Sequence, residues 1–318
     1  MVEKTPALYG PIDVGKLKTF AMDQRQHKVD QKALAQLPDR DASAAELLES
    51  FPEFLGAGQL RSLAEVIAGA VKNNRPVFFA LGGHVIKVGC SPIIIDLMAR
   101  DILAGVVLNG AGGIHDFEIA LSGQTSEDVG ANLSEGLFGM TTEAPQALAE
   151  AAQRGRESGI GLAASLGQII NERKLKHRDI SLLAGAQKYG KLTTMHVALG
   201  TDTAHMHPGA DGADIGSATL IDFRRACAAV ADLGDGGVWV NIGSAVVLPE
   251  VFLKAVAVAR NLGADLDEMY TANLDMIGHY RVRQNVLTRP VKEGHSFEVI
   301  GHHEITLPLL RMMILQLL

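Results

Sequence analysis

Two stretches decide how this chain reads: Ala80-Leu-Gly-Gly-His-Val-Ile-Lys-Val-Gly-Cys-Ser-Pro92 and Gly105-Val-Val-Leu-Asn-Gly-Ala-Gly-Gly-Ile-His-Asp116. Each is an apolar run ending in a glycine-rich turn, and a helical segment separates them. The pattern is strand, turn, helix, strand, turn. Both turns fall at the same end of two strands, and in an open parallel sheet that end is where nucleotides bind. The same stretches, with the two residues that follow, supply His84, Lys87, Asn109, His115, Asp116 and Glu118. A phosphate site and an acid–base site are therefore expected side by side.

Working outward, the rhythm continues. Residues 76–81 form a continuous apolar run, as a strand buried on both faces requires. Further strands are expected at 105–108, 192–199, 237–242, 268–273 and 297–301. Helices are expected near 43–50, 59–73, 92–100, 114–121, 145–173, 179–189, 217–233 and 249–262, and from 304 onward. Ser158-Gly-Ile-Gly161 is a break in the fifth of these. Residues 122–145 and 200–217 are polar and read as a lid or exposed loops. Strands alternating with helices predict an α/β fold, a mainly parallel, Rossmann-like sheet covered on both faces. Residues 1–40 read as an N-terminal arm and 41–318 as one domain.

Composition narrows the function. The 318 residues carry a formal charge of −7 and no basic stripe, which speaks against nucleic acid as a partner. The N-terminal residues lack the apolar stretch of a signal peptide, and no run approaches the length of a membrane span. A cytoplasmic protein is expected, without a membrane partner. Cys90 and Cys227 form neither a disulfide framework nor a CxxC pair.

Asn109-Gly-Ala-Gly-Gly-Ile-His-Asp116 resembles the Thr-Ala-Gly-Gly-Val-Glu-Glu turn of the deoxyhypusine synthase family. Asn241-Ile-Gly-Ser-Ala-Val-Val-Leu-Pro-Glu250 and Ala259-Arg-Asn-Leu-Gly-Ala-Asp265 resemble its Gly-Gly-Gly-Val-Val segment and the Asn-Gly-Ala-Asp that follows. Tyr270-Thr-Ala sits where the family has Asn-Thr-Ala. Gly301-His-His-Glu-Ile-Thr-Leu-Pro-Leu-Leu310 resembles its Ala-Asp-Ala-Ser-Leu-Val-Phe-Pro-Leu-Leu. The resemblance runs through residues 76–312. It implies a Rossmann-like fold, bound NAD, and a homo-oligomer, dimer or tetramer, whose site is completed across subunits. Carried over residue by residue, the NAD contacts fall on Gly83, His84 and Lys87, on Gly110, Ala111 and Gly112, and on Asp202, Gly243, Thr271 and His302. The chemistry departs from the family. Its nucleophilic Lys falls on Arg289, and an always-protonated guanidinium forms no imine; Lys292 is three residues away. Arg281, Arg283 and Arg289 stand near positions where a polyamine would need acidic groups, which suits an anionic substrate instead. Glu250 falls near the family's catalytic His.

Beside the resemblance, Gly200-Thr-Asp-Thr-Ala-His-Met-His-Pro-Gly-Ala-Asp-Gly-Ala-Asp-Ile215 gathers His205, His207, Asp211 and Asp214. His-x-His in extended backbone puts both rings on one side, and with Asp211 and His302 it could hold a divalent metal such as zinc. The alternative is a metal-free active-site loop, or a loop that bonds to itself. His115 is the better acid–base candidate, since imidazole titrates near pH 6.5. Asp116 either joins it or caps a helix. The expected function is an NAD-binding enzyme of transferase or oxidoreductase type. It would act on a small, polar, anionic substrate, with His115, Asp116, His205 and His207 as catalytic candidates. Asp211, Asp214, Glu250, Arg281 and Arg289 are the substrate candidates. A metal-dependent hydrolase or lyase, and a non-catalytic nucleotide-binding protein, are the alternatives.

Overall fold

The structure, a computed structural model, describes residues 9–318. The first eight residues of the expected arm lie outside the described residues. Six strands occupy the centre: β1 (Val77–Leu81), β2 (Gly105–Asn109), β3 (Leu192–His196), β4 (Val238–Ile242), β5 (Tyr270–Asp275) and β6 (Ser296–Ile300). Their spatial order is β3-β2-β1-β4-β5-β6, with every neighbouring pair parallel. β1 and β4 are buried at every position, which is why their sequences do not alternate. The strand order reverses between these two. The chain crosses to one side from β1 and to the other from β4, and beyond the carboxyl ends at such a switch point sheets of this kind carry a ligand crevice.

The helices are α1 (Ala44–Glu49), α2 (Leu55–Lys72), α3 (Gly83–Lys87), α4 (Ser91–Ala99), α5 (Gly110–Ser122), α6 (Val129–Ser134), α7 (Glu143–Ser158), α8 (Leu162–Glu172), α9 (Leu182–Lys188), α10 (Gly212–Ala231), α11 (Val247–Asn261), α12 (Tyr280–Val282) and α13 (His303–Leu317). They bury two cores, one on each face of the sheet. Adjacent β1 residues separate accordingly: Phe79 joins the larger core, and Phe78 joins Trp239 and Phe252 in the smaller. Trp239 stacks on Phe252 with ring centroids 4.7 Å apart.

The expected parallel sheet with flanking helices is what the chain forms, with boundary corrections near the sheet's carboxyl edge, where β3 stops at His196 rather than 199. α5 begins at Gly110, four residues before the expected start at 114, because the Asn109 side chain accepts a hydrogen bond from Gly112 N and caps it. The Ala-Gly-Gly stretch is thus the first turn of a helix. α10 begins at Gly212, not 217, since the Asp211 side chain accepts from Asp214 N. β5 continues to Asp275, past the expected end at 273.

Residues 9–40 form extended chain with three short 3-10 turns, tied to the body through Gln36 N donating to Ser50 O and Glu53 N donating to Ala33 O. Tyr9, Ile12, Val14, Leu17, Phe20 and Met22 are exposed along it. No helix among the described residues is long and apolar enough to cross a membrane.

Candidate functional site

The turns after β1 and β4 meet at the crevice. Gly82 N continues the ladder by donating to Ile242 O at 2.8 Å. A β-carbon on Gly82 would stand 2.0 Å from the Gly243 carbonyl oxygen, so the two backbones touch there and only glycine fits. Gly243 itself has φ +65, a left-handed conformation that also favours glycine. A β-carbon on Gly83 would meet Ala111 and the His115 ring at about 3 Å, which joins the first turn to the start of α5. The loops expected to converge therefore do so.

Polar groups crowd this edge. His303, the first residue of α13, is fully buried, and both of its ring nitrogens lack a hydrogen-bond partner. Its Nε2 lies 2.8 Å from where a Gly243 β-carbon would stand, and its ring centroid is 6.0 Å from that of exposed His84. Burial pushes its pKa down, against the opposing pull of Asp275, so the ring is neutral at neutral pH. Asn241 and Asn273 are paired across β4 and β5, with Asn241 Nδ2 donating to Asn273 Oδ1 at 2.9 Å. His196, ending β3, is buried and pushed down to about 4.

The Asp202 carboxylate covers the start of α5: its Oδ2 would lie 1.9 Å from a β-carbon on Gly110. That oxygen is buried and makes no hydrogen bond, with His205 Nε2 4.0 Å away, and burial pushes the carboxyl pKa up against the pull of His205. The positive end of a 13-residue helix stabilises an anion there.

Of the residues singled out from the sequence, Gly83, His84, Gly110, Ala111, Gly112, His115, Asp202 and Gly243 cluster at this edge. Lys87 is exposed at the end of α3. The inward member of the adjacent histidine pair is His303, and His302 is the exposed one.

Several candidates are engaged elsewhere. Asp116 is fully buried: Oδ1 accepts from Leu182 N at 2.6 Å, and Oδ2 accepts from Ser181 Oγ and Leu183 N. It lies within α5, whose cap is Asn109, and holds the start of α9 instead of capping its own helix as the sequence suggested. Burial raises its pKa to about 6, the hydrogen bonds acting the other way. Thr271 is the second residue of β5, at the amino end of the sheet, and its hydroxyl donates to Val286 O.

The His-x-His run does not assemble a metal site. His205 Nδ1 accepts from Gly200 N, and His207 Nε2 bonds the Gly139 carbonyl at 2.9 Å. Asp211 caps α10, and Asp214 pairs with Arg156 at 3.0 Å. Among the described residues no three His, Cys, Asp or Glu side chains are grouped to hold a metal.

The arginines do not converge into an anion pocket either. Arg281 pairs with Glu250, which also holds Lys254 and Asn285; Arg283 pairs with Glu298, and Arg289 bonds Asn285. Lys292 pairs with Glu268 and Asp267, just before β5 begins, at the far end of the sheet. Those acidic partners push its pKa up, and it stays protonated there.

Two residues that sequence reasoning left without a role are Glu118 and Thr125. Thr125 Oγ1 lies 2.7 Å from His115 Nδ1 and donates to Glu118 Oε2. The spacing of Glu118, three residues after His115 on one helix, was visible in the sequence. Thr125 was not, because it returns to α5 only through the left-handed turn at Gly123, φ +76.

The strand order and the position of the crevice define a doubly wound sheet of the nucleotide-binding type. More particularly, the chain has the deoxyhypusine synthase-like fold. It is similar over 87% of its length to 94% of a protein assigned as a deoxyhypusine synthase from Entamoeba histolytica, with 10% identity and a TM-score of 0.51. A conserved protein assigned as LOR/SDH from Methanococcus maripaludis S2 is 16% identical, with 83% of this chain covering 71% of that one at a TM-score of 0.52. Unliganded AgrE is 11% identical, with 88% of this chain aligned at a TM-score of 0.57. AgrE in ternary complex with ornithine and NAD+ is 10% identical, with 82% of this chain aligned at a TM-score of 0.54. The chain spans 34% of the length of AgrE. No family model and no curated protein matches the sequence.

Proposed function

We propose that the chain is an enzyme that binds NAD(H) across the crevice between β1 and β4 and acts on a small polar molecule. The observation that carries this reading is a pair of buried, unsatisfied groups at one sheet edge. They are the His303 imidazole, with neither nitrogen bonded, and Asp202 Oδ2 over the start of α5. Buried polar atoms left unpaired cost about 1–3 kcal/mol each, and a polar ligand at this edge relieves that cost. AgrE, which shares the fold, has been captured with NAD+.

The group fits the residues present. Backbone at Gly83 would approach a pyrophosphate, Asp202, which covers the start of α5 at Gly110, would accept from a hydroxyl, and His303 would donate or accept one hydrogen bond. When bound, the nicotinamide supplies a centre that accepts or returns hydride. His115 holds or moves the accompanying proton, and β1, β4 and α13 exclude water from one side of the crevice. Deoxyhypusine synthesis is not part of the proposal: Arg289 bonds Asn285, and Lys292 is tied up at the opposite end of the sheet.

Thermal-shift titration with NAD+, NADH, NADP+, AMP and zinc tests the reading. A rise in midpoint with NAD+ or NADH that is saturable, and is lost in His303→Leu, is the expected result. A flat response to every dinucleotide refutes it.

A further inference from the structure

His115 sits on α5 with only 18% of its side chain exposed, and two groups crowd its Nδ1. Thr125 Oγ1 is 2.7 Å away and Glu118 Oε2 is 3.4 Å away. A hydroxyl has one proton to give, and Thr125 gives it to Glu118. Burial acts to raise the Glu118 pKa, but the neighbouring His115 ring, the Thr125 hydroxyl and the Ser126 amide outweigh it and hold the carboxyl below its usual range. An ionised carboxylate only accepts. Neither neighbour of Nδ1 can therefore donate to it, so Nδ1 must carry the proton. A neutral imidazole with Nδ1–H keeps its lone pair on Nε2. Cδ2, the carbon bonded to Nε2, is the ring atom lying against Gly83 in the first glycine-rich turn.

We infer that Glu118 and Thr125 are positioning residues that fix His115 as the Nδ1–H tautomer, presenting Nε2 as a proton acceptor beside the β1 turn. The inference deepens the proposed function and rests on it for the chemistry. A base of this form takes a proton from an O–H or N–H group of the substrate. The bond to hydrogen breaks at that heteroatom and forms at Nε2. The resulting imidazolium is neutralised through Nδ1–H, Thr125 Oγ1–H and the Glu118 carboxylate. The substrate class is accordingly a small molecule with a hydroxyl or a protonated amine at the reacting position.

The tautomer is read directly from long-range 1H–15N spectra of the full chain labelled with 15N-histidine, the His115 signals being assigned by their loss in His115→Gln. Measurement belongs about two pH units above the ordinary imidazole value of ~6.5, where a free ring is neutral. The expected result is Nδ1 protonated and Nε2 bare in the native protein and in Thr125→Ser. Thr125→Val leaves the Glu118 carboxylate 3.4 Å from Nδ1 as an acceptor and should keep Nδ1–H, whereas Glu118→Gln frees the Thr125 hydroxyl, adds an amide donor and should shift His115 toward Nε2–H. Both residues line an open cleft of about 720 Å³, so the substitutions leave the core intact. Nε2–H in the native protein overturns the inference, as does an imidazolium persisting at that pH or a Glu118→Gln spectrum identical to the native one. These spectra need no cofactor. Failure of the dinucleotide reading would show separately, as a flat NAD+ thermal shift with the tautomer intact.

Discussion

Replacing Gly82 by Ala tests the architecture of the crevice at its tightest point. The new β-carbon would stand 2.0 Å from the Gly243 carbonyl oxygen and 2.7 Å from its carbon, and both are backbone. No side chain can swing aside, so the turn after β1 and the turn after β4 must separate by about 1 Å, on the order of the overlap at a normal carbon–oxygen contact. That movement breaks the bond from Gly82 N to Ile242 O, now 2.8 Å. Overpacking costs about 1–3 kcal/mol, and the lost hydrogen bond adds ~1 kcal/mol. The sum is about 2–4 kcal/mol. Gly69→Ala supplies the contrast. Gly69 lies within α2, and a β-carbon there meets nothing within 4 Å. The same substitution should stabilise by up to ~1 kcal/mol, the helix-propensity difference. Urea unfolding followed by circular dichroism reads both, with the slope unchanged and the midpoints moving in opposite directions. Gly82→Ala within 0.5 kcal/mol of the native protein, a tolerance of about the size of ordinary surface substitutions, would refute the close approach from which the site is built.

Other substitutions separate binding from stability. His303→Leu removes two unpaired buried nitrogens, so stability should hold or rise by ~1 kcal/mol, while dinucleotide affinity measured by calorimetry should fall at least about tenfold, one lost hydrogen bond being worth ~1.4 kcal/mol. Stability should also depend on pH. Burial raises Asp222, enclosed on α10 with Oδ2 accepting from Ala163 N and Met195 N, to about 7, and Asp116 to about 6. Both values lie above the unfolded value of ~3.9, so the folded state binds more protons between them. The stability these two groups contribute is complete below about pH 4 and is lost as pH rises through 6 to 7. Urea midpoints across that range check this, and Asp222→Asn should flatten the decline. Arg281→Ala breaks an exposed pair with Glu250 and should change stability by less than ~1 kcal/mol, with no effect on dinucleotide binding.

Much of the fold was legible because it is written in local pattern. The β1 run Val77–Leu81 is apolar without alternation, and such a run of five has few other uses than a central parallel strand. The glycines were legible for a related reason, since bare backbone at a strand end signals close approach. Side-chain direction was not legible. His115 and Asp116 are adjacent on α5, and helical geometry turns one to the crevice and the other under the sheet to cap α9. Nothing in the pair of letters says which. The His205–His207 run suggested a metal because spacing alone cannot show that backbone groups already occupy both rings. Thr271 was misplaced by the resemblance: the motif aligned, but β5 runs on to Asp275, so the threonine lies at the wrong end of the strand.

The same distinction is why we propose His115, and not the loop histidines, as the base. A general base needs one nitrogen bare and the other held, with its orientation set by something that does not move. His205 spends its Nδ1 lone pair on the amides of its own loop, and His207, whose Nε2 donates to the Gly139 carbonyl, is held by a loop rather than by a helix. Their bonds hold the segment over α5 and bring Asp202 to Gly110. His115 stands on a helix capped by Asn109, and its Nδ1 is claimed by a hydroxyl that a carboxylate has already turned. The loop histidines serve the shape of the crevice and the helix histidine serves its chemistry. Disrupting His207 should therefore loosen Asp202 and weaken ligand binding without altering the tautomer of His115, whereas Glu118→Gln should alter the tautomer and leave Asp202 in place.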